Sequence, residues 1–231
     1  MNIFAIGDLH LSFANPKPMD IFGDNWTDHP EKIRRAWLES ITEEDLVLIP
    51  GDISWAMNLE EARPDLDYIA ELPGKKVMIR GNHDYWWSTV SKVRKALDPS
   101  ISVLQNDSLK VTDDLVIAAA RGWDSPGSFH FDEHDRTIYE REVGRLKLSL
   151  DHAVKQGATR IWVMLHYPPT NEKHQSSGFL DVLRQYPVEK VIYGHLHGKE
   201  GHRGALEGVH DGISYHLVAC DYLDFTPLKL T

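Results

Sequence analysis

Five short stretches of this chain carry side chains that can bind metals: Asp8-Leu9-His10, Gly51-Asp52, Gly81-Asn82-His83-Asp84, His166, and Gly194-His195-Leu196-His197. Carboxylate, amide oxygen and imidazole together suit Mn, Fe, Zn or a similar divalent cation. No thiolate is among them, which argues against a structural zinc cage. A single Gly-Asp or Gly-Asn-His-Asp is more often a surface or hydrogen-bonded feature than a ligand set. Here all five occur in order, each at the end of an apolar, β-rich run. Side chains at i and i+2 on extended backbone point to one side, so Asp8 with His10, and His195 with His197, are each expected to converge on one centre. The preceding glycines permit tight turns and close backbone approach.

The elements that must position these residues alternate between short apolar runs and helical stretches, the signature of α/β organisation. Residues 3–6, 46–49, 77–79, 161–165 and 191–193 read as strands leading into the five stretches. Residues 101–104, 109–112 and 115–120 read as further strands, the last two joined at Asp113-Asp114. Helices are expected from Asp28 or His29 with Pro30 in the first turn, over 59–72, around 90–97, over a long segment containing Tyr139 to Val154, and over 179–185. Segments 206–209, 213–219 and 225–230 alternate like antiparallel strands. Strand ends are where α/β folds place sites. No repeat, low-complexity segment or composition break divides the chain, which reads as one domain over residues 1–231.

Composition bounds the function. Of 231 residues, 42% are hydrophobic and 26% charged, which excludes a disordered or collagen-like chain. No apolar run approaches the ~20 residues of a membrane span. The N-terminal residues have no basic region and meet Asp8 early, so they read as a first strand and not a signal peptide. The single cysteine, Cys220, cannot make an internal disulfide and reads as a small buried hydrophobe, which points to a reducing cytoplasm. A net charge of −10 makes a nucleic acid polymer a poor expected partner.

The ordered set resembles the calcineurin-like metallophosphoesterase superfamily, whose pattern runs D-x-H, G-D, G-N-H-[DE], H, G-H-x-H. The resemblance spans Asp8 to His197. It implies an α/β fold, a four-layer αββα sandwich of two mixed β-sheets flanked by helices, with two divalent metal ions at one end of the sheets. Carried over by motif, Asp8, His10 and His197 would hold one metal, and Asn82, His166 and His195 the other. Asp52 would bridge them. His83 would face the substrate as proton donor or hydrogen-bond partner to the leaving alkoxide. Two cations roughly 3.5–4 Å apart can clamp phosphoryl oxygens during in-line attack by a metal-activated hydroxide. The implied activity is hydrolysis of a small phosphodiester or phosphomonoester, with a slight preference for the diester, which needs less cationic grip.

Protein serine/threonine phosphatases of this superfamily continue G-D with x-x-D-R-G. This chain has Ile53-Ser54-Trp55-Ala56-Met57 instead, so the acid behind the histidine and the phosphate-gripping arginine are missing there. That branch, a nuclease, and a non-catalytic interaction module on the same fold are the competing readings. All seven ligand positions and His83 are intact, which counts against the module.

Lesser features accompany the set. Trp26, Trp55, Trp86, Trp87 and Trp123 lie in or beside the expected site loops and either pack the rim or stack on a planar group. Trp55, Trp86 and Trp87 are nearest to ligands in sequence. Loop 12–28 either walls the pocket or covers a sheet edge. Arg121 is a candidate phosphate contact or an ordinary surface arginine, and Arg80 precedes Gly81-Asn82-His83-Asp84. His130, His134 and His174 are assigned to no metal.

Overall fold

The computed structural model describes residues 1–129 and 131–231, so His130 lies outside the described residues. The strands are β1 (Ile3–Ala5), β2 (Leu46–Ile49), β3 (Lys75–Met78), β4 (Ile101–Val103), β5 (Ser108–Lys110), β6 (Leu115–Ala120), β7 (Arg160–Leu165), β8 (Val188–Tyr193), β9 (Gly208–His210), β10 (Ile213–Leu217) and β11 (Leu228–Lys229). The helices are α1 (His29–Ser40), α2 (Arg63–Glu71), α3 (Val90–Ala96), α4 (Glu133–Lys155), α5 (Gly178–Leu183) and α6 (Gly198–Arg203). Short 3-10 turns occupy Asp20–Phe22 and Asp24–Trp26. The chain forms two compact units, Met1–Val103 with Val218–Thr231, and Leu104–Leu217.

The first unit holds a five-stranded sheet in the order β11-β1-β2-β3-β4. Strands β1 to β4 are parallel and β11 runs antiparallel along β1. All four residues of β2, Leu-Val-Leu-Ile, are buried, as a strand covered on both faces requires. Pro30 opens α1, and Ile33 and Trp37 give it a buried stripe. The expected helix over 59–72 begins only at Arg63, with Pro64 in its first turn. The residues before it form a turn in which Asn58 Oδ1 accepts the Glu61 amide at 3.0 Å.

The second unit holds a six-stranded sheet in the order β5-β6-β7-β8-β10-β9. The expected hairpin at Asp113-Asp114 joins antiparallel β5 and β6. Strands β6, β7, β8 and β10 are parallel, and β9 returns antiparallel on β10. The parallel pairing of β10 with β8 differs from the antiparallel reading of its sequence. A strand with polar residues on one face alternates whichever way its partner runs. Helix α4 starts with a reciprocal cap. Asp132 accepts the Asp135 amide at 2.9 Å, and Asp135 accepts the Asp132 amide at 3.0 Å. Its buried face carries Tyr139, Glu142, Leu146, Leu150 and Ala153. Helix α6, rich in glycine, gave no sequence signal.

Both sheets are mixed and both units carry helices, the mixed α/β class expected from the sequence. Among the described residues no helix is long and apolar enough to cross a membrane.

Candidate metal centre

In the first unit, the exits of β1 and β2 are zipped together. The Asp8 amide donates to the Gly51 carbonyl, His10 to Asp52, and Leu11 to Ile53, each at 3.0 Å. Trp55 closes the ladder with a bond to the Leu11 carbonyl at 2.9 Å. On the other side Gly7 donates to Val218 at 2.7 Å, and the Cys220 thiol donates to the Asp8 carbonyl at 3.0 Å. Burial pushes this thiol well above the usual thiol range, so Cys220 is a packed, unreactive group.

Asp8, His10 and Asp52 are all buried, at 0%, 2% and 1% exposure. An Asp8 oxygen lies within 4.8 Å of a His10 ring nitrogen, and one within 4.8 Å of an Asp52 oxygen. His10 Nε2 stands 3.8 Å from Asp52 Oδ2. A buried carboxylate needs compensation from N–H or O–H donors, an ion pair or a metal. Two carboxylates and an imidazole this close make a donor set that a divalent cation fits.

The route to convergence differs from the expected one. Asp8 and His10 do not alternate along extended backbone. Their φ values are 57° and 45°, and Asp52 has φ 50°. Left-handed backbone at a non-glycine residue costs on the order of 1–3 kcal/mol and persists where its surroundings impose it, most often at functional sites. The zipped ladder imposes it here.

Asn82 and His83 sit half-buried at the turn after β3. The His83 amide donates to Asp52 Oδ1 at 2.8 Å, tying this turn to the carboxylate. Gly81 makes the approach possible, because a Cβ there would fall 2.0 Å from Asp52 Oδ1. The His83 ring lies 4.4 Å from the Trp55 ring and 5.7 Å from that of His10, and its Nδ1 is 3.3 Å from the Tyr85 hydroxyl.

Asp84, the acid adjacent to His83, does not orient it. Its Oδ1 accepts the Ile53 amide (2.9 Å), the Ser54 amide (3.1 Å) and the Trp86 indole N–H (2.9 Å), while Oδ2 accepts the Gly81 amide at 2.7 Å. Burial pushes this carboxyl up and the four N–H donors pull it back. Asp84 is thus a clamp between the Asp52 loop and the His83 turn.

The tryptophans divide. Trp86 and Trp87, whose sequence position allows either packing or stacking on a planar group, are core residues at 1% and 4% exposure. Trp55 is half-buried, stacks on His10 with ring centres 4.9 Å apart, and donates to the Met19 sulfur at 3.2 Å. Lys17 lies 4.6 Å over its ring, and buried Trp26 meets His10 edge-on at 5.9 Å. Loop 12–28 therefore packs on the His10 side of the site.

In the second unit, buried His166 follows β7 and His195 follows β8. Their rings meet edge to face at 5.1 Å, as two ligands of one cation can. The His166 amide donates to the Arg121 carbonyl at 2.9 Å, and the His166 carbonyl accepts the Gly194 amide at 3.1 Å. His195 has a left-handed φ of 72° and packs on Tyr167 at 4.1 Å. His197 is the residue before α6. Arg121 is engaged by fully buried Glu142 at 3.7 Å and lies 4.6 Å over the Trp123 ring. His174, assigned to no metal, bonds to the Gly204 carbonyl at 3.1 Å.

The calcineurin-like phosphoesterase family model matches residues 1–199. The gene 66 proteins of Mycobacterium phages L5 and D29 are 30% and 33% identical over 83 and 84 residues, 36% of this chain and 40% of each phage protein. The match thus spans well under half the length of these curated relatives. Among solved structures, the phosphopantetheinyl hydrolase of Mycobacterium tuberculosis is similar with a TM-score of 0.54 and 12% identity, covering 99% of this chain and 95% of that one. A protein of unknown function from Aquifex aeolicus is similar over the same shares with a TM-score of 0.48 and 15% identity. The first of these two likenesses concerns the fold alone.

Proposed function

The chain belongs to the calcineurin-like phosphoesterase family, and from that premise we propose that it is a metal-dependent hydrolase of small phosphodiesters or phosphomonoesters. Asp8, His10 and His197 hold one divalent cation, Asn82, His166 and His195 hold a second, and Asp52 bridges the two. The observation that carries this reading is the convergence of buried Asp8, His10 and Asp52, all three on left-handed backbone. When bound, the cations supply Lewis acidity toward the phosphoryl oxygens and a water of lowered pKa.

This chain's own residues supply the rest. Asp52 Oδ1 fixes the His83 turn, and its Oδ2 lies 3.8 Å from His10 Nε2, so the carboxylate would present its charge on the His10 side. His83 donates a proton or hydrogen bond to the departing oxygen. Trp55, against its ring, and Tyr85, at its Nδ1, restrict its rotation. Trp55 stands where protein phosphatases begin their Asp-Arg-Gly run, and Arg121 is engaged by Glu142. Both facts support a small substrate that needs little cationic grip, with a diester ahead of a monoester.

One kinetic series tests this. Metal-supplemented enzyme is assayed on alkyl and nitrophenyl phosphoesters, phosphopeptides and duplex DNA. The best small phosphoester should exceed phosphopeptide and DNA in kcat/KM by at least about tenfold, or about 1.4 kcal/mol. His83→Ala should keep its metals and lose on the order of 10²–10⁴-fold on alkyl esters, with a smaller loss on nitrophenyl esters, whose leaving group needs no proton. Equal losses on both ester classes, or lost metal, would remove His83 from the donor role. A tenfold advantage for phosphopeptide would favour a protein phosphatase.

A further inference from the structure

Within the second unit lies a cavity of about 430 Å³ with His195 in its wall. Its other walls carry Asp124, Asp135, Glu172 and Glu200, with the rings of Phe129 and Phe131. Among the described residues that line it there is no lysine or arginine. Arg136 packs over Phe131 at 5.7 Å from outside this lining and is paired with Glu133 at 3.5 Å. Thr170, only 3% exposed, is also in the wall, and its hydroxyl has no hydrogen-bond partner among the described residues.

An anionic cavity repels phosphate, so it does not serve the phosphoryl group. It adjoins a residue proposed to hold a metal, so it suits another part of the same substrate. The carboxylates lie near enough to feel one another. Burial, and then the charges of Asp135 and Glu172, push the Asp124 carboxyl up. A cation placed among them removes that repulsion. Two features favour an organic cation over a metal ion. Phenylalanine faces attract an ammonium group through their quadrupole, whereas hard metal ions want a shell of oxygens. The volume also exceeds what a bare ion fills, and the Thr170 hydroxyl oxygen offers an acceptor for an ammonium N–H or for the polarised C–H of a quaternary ammonium. We infer that the substrate of this enzyme carries an organic ammonium group, and that Asp124, Asp135, Glu172, Glu200, Phe129 and Phe131 bind it. The assignment of the group to a substrate rests on the phosphoesterase reading above; the cation site itself does not.

The test uses two p-nitrophenyl phosphodiesters that differ only in their second ester, choline or its uncharged isostere 3,3-dimethylbutanol. Manganese-loaded enzyme should prefer the choline ester by at least tenfold in kcat/KM. That ratio should fall to within twofold in Asp124→Asn/Glu172→Gln, and part of the way in Glu200→Gln, which guards against a misfolded double variant. Calorimetry with the free alcohols gives a readout independent of turnover: choline should bind the wild type and not the double variant, and dimethylbutanol should bind neither. Equal hydrolysis of both esters with no selective choline binding would overturn the cation site and leave the phosphoesterase reading standing. Selective choline binding with no hydrolysis of either ester would uphold the site and overturn the phosphoesterase reading. Calcium displacing choline one for one would show an inorganic cation site and overturn the proposal.

Discussion

Asp52→Asn is expected to lower kcat/KM on every phosphoester by at least about 10³-fold, roughly 4 kcal/mol of transition-state stabilisation. The substitution is nearly isosteric. An amide oxygen can still accept the His83 amide that Asp52 Oδ1 accepts at 2.8 Å, so the turn bearing Asn82 and His83 should stay in place. What disappears is one negative charge and the second equivalent oxygen. In the proposed centre the Asp52 carboxylate would serve both metal positions, so the loss is felt at both. Metal analysis should find each position weakened, and thermal unfolding should change little beyond the lost metal contribution. A variant that keeps two tightly held metals and loses less than tenfold in activity would show that Asp52 does not bridge.

Asp84→Ala is expected to produce the largest loss of stability of any single substitution near the site. The carboxylate is fully buried and accepts four N–H donors, from Ile53, Ser54, Gly81 and the Trp86 indole. Removing an acceptor leaves each buried donor unsatisfied at about 1–3 kcal/mol. The donors relax together, so the sum is an upper bound, and a net loss of at least about 3 kcal/mol is expected. For a chain of this size that lowers Tm by roughly 6–12 °C. Asp84→Asn, which keeps one accepting oxygen, should fall between alanine and wild type. Because the clamp holds the Asp52 loop against the His83 turn, metal affinity should fall with stability. A Tm for Asp84→Ala within about 2 °C of wild type would show that backbone and solvent satisfy these donors without the carboxylate.

The sequence was most legible where residue type and spacing coincide. Asp8, His10 and Asp52 could be singled out because Asp-x-His and Gly-Asp each end an apolar run, and the structure brings these three together. The strands leading to them were legible for the same reason: Leu46–Ile49 is an unbroken apolar run bounded by Asp45 and Pro50. Backbone geometry was not legible. Aspartate and histidine at left-handed φ break the usual preference for glycine, and only the tertiary ladder between the β1 and β2 exits imposes it. The role of Asp84 was hidden because its partners Ile53 and Ser54 are 31 and 30 residues away. For Trp86 and Trp87 adjacency to the ligands could not decide between packing and stacking, since a turn sends neighbouring side chains in different directions and these two go inward. The acidic cavity gave no signal because its walls come from positions between Asp124 and Gly204, with no local pattern joining them.

In the proposed centre two cations share the Asp52 carboxylate. Electron paramagnetic resonance of the manganese-loaded protein, with the metal content measured on the same sample, tests it most directly. About two manganese ions per chain are expected, with the spectrum of an exchange-coupled pair and coupling lost in Asp52→Asn. One ion per chain, or two ions with the spectra of isolated manganese, would contradict it.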